Sequence, residues 1–192
     1  MFHSLHAPVL CSLIIVRSRP ELARGSAISS LALFTVRRQG RREARFEILR
    51  AAFDRDASRA SIIDGLCERI PKEAELLVRV PKVAPYSWRH AFASGQVPAP
   101  TDVDLIRRNL PNTTLLPLNV SDDQLIAAGQ SVGLEVPGSD PTPHRRRRRA
   151  PEQAMALWAI YTNGFCRKPE ARALMAAFRA WHTIERVRPL PF

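Results

Sequence analysis

Glu73-Ala-Glu-Leu-Leu-Val-Arg-Val80 can be read in two ways, and the choice between them decides the fold class. Ala74, Leu77 and Val80 recur at helical spacing, while Leu76-Leu-Val-Arg-Val80 also fits a short strand. The segments on either side favour the helix. Upstream, Ile62, Ile63, Leu66, Cys67 and Ile70 form a wide apolar stripe in a helix that starts near Ser58–Ser61 and is stopped by Pro71. Downstream, Trp88, Ala91 and Phe92 stand at i, i+3, i+4 over residues 86–93, with Gly95 where a helix ends.

Working outward, Thr101 opens a helix with Asp102 and Asp104 in its first turn, where they complement the helix dipole. Val103, Ile106 and Leu110 are its apolar face, and Pro111 ends it. Ser121-Asp-Asp-Gln124 is a second cap signal, for a short helix through Ala128. Upstream, Phe46, Leu49 and Phe53 fall at i, i+3, i+7, so helical periodicity starts near Arg41. At the C-terminal end, Ala154, Leu157, Trp158 and Tyr161 make one stripe closed by Asn163-Gly164. Ala171, Leu174, Phe178 and Trp181 make another, opened by Pro169. The expected class is all-α with at most a minor strand: a small helical domain holding a helix-turn-helix-like unit, followed by a C-terminal helical pair.

The expected organisation has four parts. Residues 1–40 form a poorly ordered basic extension, 41–128 the helical domain, 129–150 a Pro/Gly/Arg linker and 151–192 the helical pair. Residues 1–42 hold seven arginines and the single acid Glu21. Their two apolar runs, 7–16 and 27–36, fall short of the ~20 residues a membrane span needs. A signal-peptide core, an organellar transit peptide and residues appended by an upstream start are the competing readings of this stretch.

Composition bounds the function. Lys and Arg number 29 against 18 Asp and Glu, a net charge of +11, so the chain attracts polyanions whatever their sequence. The bias of that basic set towards arginine also fits the codon usage of a GC-rich genome. Cys11, Cys67 and Cys166 lack any CxxC spacing, and the five histidines lack paired metal spacing, so neither a disulfide framework nor a metal site is expected. Reduced thiols point to a cytoplasmic protein. Motifs for phosphate-loop, dinucleotide, metalloprotease and serine-hydrolase chemistry are absent, so no enzyme and no cofactor are expected. Cys67, on an apolar stripe, reads as a buried inert thiol.

Candidate binding residues follow from a helical 73–80. Residues 72–114 then stack three short helices with tight connections, which is helix-turn-helix geometry. Trp88, Ala91 and Phe92 hold the middle helix on the core, and Tyr86, Ser87, Arg89 and His90 face outward with Lys82 nearby. These side chains can bond base edges or phosphates. Arg145, Arg146, Arg147, Arg148 and Arg149 are a second candidate, a flexible basic arm. A purely structural helical hairpin and a solvated linker are the competing readings.

The string Phe92-Ala-Ser-Gly95-Gln-Val-Pro98, followed by Leu105, Ile106 and Leu110-Pro111, resembles the helix-turn-helix domain of the lambda repressor/Cro-like (XRE) family over residues 60–111. That resemblance implies a DNA-binding transcriptional regulator whose recognition helix presents Ser87, Arg89 and His90. It also implies a homodimer, for which the aromatic C-terminal pair offers surface. The rivals are a helical protein-interaction module whose charge serves solubility, and a frame-extended product with no cooperative fold. Nucleic acid, DNA ahead of RNA, is the expected partner, and no membrane.

Overall fold

A computed structural model describes residues 9–17, 28–39, 43–54, 56–79, 102–134 and 143–187, with the backbone alone for 143–148 and 186–187. The core is a five-stranded mixed sheet, so the fold is α/β and the all-α expectation is corrected. The strands are β1 (Val9–Arg17), β2 (Ile28–Arg38), β3 (Ala44–Ala52), β4 (Ala74–Arg79) and β5 (Thr114–Leu118), in the spatial order β3-β2-β1-β4-β5. Antiparallel pairing joins β1 to β2 and β2 to β3, and parallel pairing joins β1 to β4 and β4 to β5. Parallel neighbours need long crossovers. These contain helices α1 (Arg59–Cys67) before β4 and α2 (Asp102–Asn109) before β5. Helices α3 (Asp122–Ser131), α4 (Pro143–Phe165) and α5 (Lys168–Val187) follow the last strand.

Both apolar runs of the expected N-terminal extension are sheet strands. β1 is the middle strand and β2 its neighbour, and nearly every residue of each is buried. A strand covered on both faces reads as a continuous apolar run rather than an alternation. For that reason the runs carried no period-2 signal.

Residues 44–52 were expected as helix and are β3. Phe46 lies on one face of the sheet with Ala44 and Ile48, whereas Leu49, Ala51 and Phe53 pack on the other. The i, i+3, i+7 spacing thus joins residues from opposite faces. Residues 74–79 of the ambiguous stretch resolve the same way. β4 sits between β1 and β5, with Ala74, Leu76 and Val78 buried on one face and Leu77 on the other. Two-sided pairing and two-sided burial outweigh a helical spacing that was only approximate. β5, which no pattern announced, is an edge strand and tolerates Pro117.

The helices match the sequence more closely. α1 follows Ser58 and buries Ile62, Ile63, Leu66 and Cys67. α2 has Asp102 and Asp104 in its first turn and buries Ile106 completely. Ser121 and Gln124 form a reciprocal capping box, with bonds of 2.9 and 3.2 Å, and α3 runs to Ser131 rather than Ala128. α4 and α5 are the expected pair, with Ala154, Leu157, Trp158, Tyr161, Ala171, Leu174 and Phe178 buried. The 129–150 linker is corrected in part. α3 and α4 enter it from both ends, and the arginine run stands on helix α4.

Two layers of helix cover the sheet. α1 and α2 pack on one face against Val9, Cys11, Leu13, Leu31, Leu33 and Leu76. α3, α4 and α5 pack on the other, around Phe34, Phe46, Trp158 and Phe178. α4 comes close to β1 because small residues meet there. Ser12 Oγ donates to the Ala154 carbonyl at 2.7 Å, and Ala150 and Ala154 are fully buried.

Candidate functional site

β1, β3, β4 and β5 run in one direction and β2 in the other, so four strands end on the same side of the sheet. Open α/β sheets bind ligands outside the carboxyl ends of their strands, where successive connections leave for opposite faces. Here α2 follows β4 on one face and α3 follows β5 on the other. The parting lies between these two neighbouring strands.

The side chains at this end are arginines and the carboxylates that hold them. Arg17, the last residue of β1, donates to Asp102 Oδ2 at 2.5 Å, and Arg59 Nε donates to Asp102 Oδ1 at 2.8 Å. The Asp102 side chain is only 12% exposed, so its one carboxylate clasps β1, α1 and the start of α2 in a part-buried setting. Arg79, the last residue of β4, donates to the Val120 carbonyl at 3.0 Å and pairs with Asp122 at 2.8 Å. Asn109 Nδ2 donates to Asp64 at 2.6 Å, tying α2 to α1.

α4 brings the arginine run to the same end. Ala154 lies against Ser12 in mid-β1, and Tyr161, near the other end of the helix, interacts with Glu75 at the start of β4. The helix therefore runs against β1. From Ala154 back to Pro143 it advances roughly 16 Å at 1.5 Å per residue. From Ser12 to Arg17 the strand advances about 17 Å. The turns that carry residues 145–149 thus reach the level of the strand ends. Within this region Glu152 is largely buried between Arg50 of β3 and Arg149. Burial raises its carboxyl pKa above the usual range, and the two guanidinium groups oppose that shift. Its Oε2 has no hydrogen-bond partner among the described residues.

Charge is distributed unevenly. Of the 29 Lys and Arg, 16 have described side chains, and so do 15 of the 18 Asp and Glu. The described side chains sum to +1, and the other +10 of the chain's +11 falls on residues whose side chains are outside the description. Part of that surplus belongs to segments that follow the carboxyl ends of strands or that lead into and begin α4. Residues 18–27 follow β1, residue 55 follows β3, residues 80–101 follow β4, and residues 135–148 lead into and begin α4. Together these hold Arg19, Arg24, Arg55, Lys82, Arg89 and Arg145–Arg148, against Glu21, Glu135 and Asp140.

Of the residues singled out from sequence, Lys82, Tyr86, Ser87, Arg89 and His90 lie outside the described residues. Arg145, Arg146, Arg147 and Arg148 stand on the first turns of α4, and Arg149 is half-buried beside Glu152. The helix-turn-helix geometry drawn for residues 72–114 is corrected, because its first helix is strand β4. Sequence reasoning missed Arg17, Arg50, Arg59, Arg79 and Glu152, and it read Asp102 as a cap without its partners. The signal available was an arginine closing an apolar run, as Arg17 and Arg79 do.

Among the described residues no three His, Cys, Asp or Glu side chains gather to hold a metal, and no helix is long and apolar enough to cross a membrane. The three cysteines are buried free thiols. Burial pushes Cys11 and Cys166 up to about 11 and raises Cys67 as well. No protein-family model matches the sequence, and a search of the curated proteins finds no match.

Proposed function

We propose that this chain binds nucleic acid, as a polyanion, at the carboxyl end of its parallel strands. The observation that carries the reading is where basic residues fall along the chain: Arg17 and Arg79 close β1 and β4, and Arg19, Arg24, Arg55, Lys82 and Arg89 follow in sequence from strands that end on one side of the sheet. Each cation set against a phosphate releases condensed counterions, so affinity grows with the number of phosphates neutralised. Arginine adds bidentate geometry for phosphate and for guanine.

The first turns of α4 add a second argument. A helix N-terminus carries partial positive charge and favours acids. α4 has no acid in its first turn and places five consecutive arginines in its first seven residues. That arrangement works against the helix dipole and against itself, and a bound polyanion relieves both. Strand β4 takes the place of the first helix of the unit drawn over residues 72–114, so the proposal does not rest on that unit.

The test is fluorescence anisotropy of labelled duplex DNA, single-stranded DNA and RNA as a function of salt. The expected result is binding that falls steeply with salt. Replacing Arg145–Arg148 by glutamine should weaken it and flatten the log–log slope by about 0.9 for each duplex phosphate no longer neutralised. Circular dichroism guards against unfolding of the variant. No binding at low salt, or a slope unchanged by the four substitutions, sinks the reading.

A further inference from the structure

The edge of the sheet opposite β5 is strand β3, and no other strand pairs with its outer side among the described residues. The direction of its backbone groups follows from its bonding to β2. Phe53 N–H donates to the Ser29 carbonyl at 3.0 Å, and Gln39 N–H donates to the Glu43 carbonyl at 2.8 Å. Odd-numbered residues of this strand therefore face β2, and Ala44, Phe46 and Ile48 turn their N–H and C=O groups outward. Beside them lies an open groove of about 580 Å³, lined by residues 44–48 of β3 and by Ala177 and Trp181 of α5.

We infer that a second copy of this chain occupies that edge, its own β3 pairing antiparallel about Phe46. The register follows from charge, from facing and from the part of β3 that lines the groove, residues 44–48. A two-fold pairing that continues each face of the sheet into the same face of the partner must centre on a residue, since a one-residue slip exchanges the faces. Centred on Arg45, the strands oppose Arg45 to Arg45. Centred on Glu47, they oppose Glu47 to Glu47. Both arrangements set like charges together. Centred on Phe46, they oppose Arg45 to Glu47 twice, and Ala44 to Ile48 twice. The residues so paired, 44–48, are the five residues of β3 that line the groove.

In this register Phe46 exchanges backbone bonds with its counterpart, and Ala44 exchanges them with Ile48. The Arg45–Glu47 pairs fall at the non-hydrogen-bonded positions, where facing side chains come closest. Each Arg45 already touches its own Glu47 at 2.9 Å, so the dimer extends an existing ion pair into a two-by-two patch of alternating charges. Charges on an edge strand ordinarily keep other strands away. A set of opposite sign spaced two residues apart instead complements itself in antiparallel pairing.

Sedimentation velocity of the full chain tests this. The parent is expected to be a dimer. Glu47→Arg and Arg45→Glu should each shift it to monomer, because each sets like charges across the interface. The double exchange Arg45→Glu/Glu47→Arg should restore the dimer. These side chains are exposed, and an unchanged circular dichroism spectrum with cooperative melting of the variants separates loss of pairing from loss of fold. A monomeric parent overturns the inference, as does a dimer indifferent to the single substitutions or a double exchange that fails to restore it. Nucleic-acid binding is read in a separate assay on other residues, so either proposal can fail without the other.

Discussion

Against one face of the sheet α4 and α5 press Trp158, Phe178 and Trp181 onto Phe34 and Phe46, with ring centroids 5.2–6.1 Å apart. Against the other face α1 and α2 bring no ring at all. They are nine and eight residues long, short of the ~12–15 at which an isolated helix begins to hold. What they lack in buried aromatic surface is offset by polar ties, the Asp102 clasp on Arg17 and Arg59 and the Asn109–Asp64 bond. A long amphipathic helix can be held by its apolar stripe. A short one needs packing and a fixed end, and here that fixing also positions the arginines at the carboxyl end of the sheet.

The sharpest way to break this contrast is Phe34→Ala. Phe34 is fully buried and packs against the rings of Phe46, Trp158, Phe178 and Trp181, so its loss should cost about 3–5 kcal/mol, read by urea unfolding. A loss below ~1 kcal/mol would mean that the aromatic face is not the main anchor. Asp102→Ala should cost less, about 1–3 kcal/mol, by leaving two part-buried guanidinium groups without their shared acceptor. The loss should be local: hydrogen exchange should quicken in α1 and α2 while α4 keeps its protection. Uniform loss across both faces would show that the clasp does not act on the short helices in particular.

The smallest effect is expected at Glu152, and its sign depends on pH. Burial raises its folded pKa above the unfolded value. Its contribution is therefore most favourable below the ordinary glutamate range and is lost as pH rises through the raised value. Glu152→Gln should raise the melting midpoint at neutral pH, with the gain fading in acid. Equal midpoints at all pH values would refute that assignment.

Legibility differed between the same two kinds of structure. Ser121 with Gln124, Asp102 with Asp104, and the stripes from Ala154 to Trp181 announced helices, because caps and 3.6-residue spacing are local properties. β1 and β2 announced only hydrophobicity. A run covered on both faces has no alternation to detect, and its partners lie far away in sequence: Val9 pairs with Arg37 and with Ala74. In β3 a genuine period of two was hidden because Phe46 and Leu49 belong to different faces. At the candidate site the arginine run was visible as a string of charge. Its place at the carboxyl end of the strands depends on the direction in which α4 crosses β1.

Residue order alone settled the helix caps, the C-terminal helical pair, the buried character of Cys67 and the basic surplus, since each depends on neighbours a few positions apart. Only the tertiary structure decided that 74–79 is a strand, that the N-terminal apolar runs are the middle of a sheet, and that four of the five strands end on one side of it. The physical reason is that a strand's stability comes from partners it finds across the fold, whereas much of what marks a helix lies within one or two of its own turns.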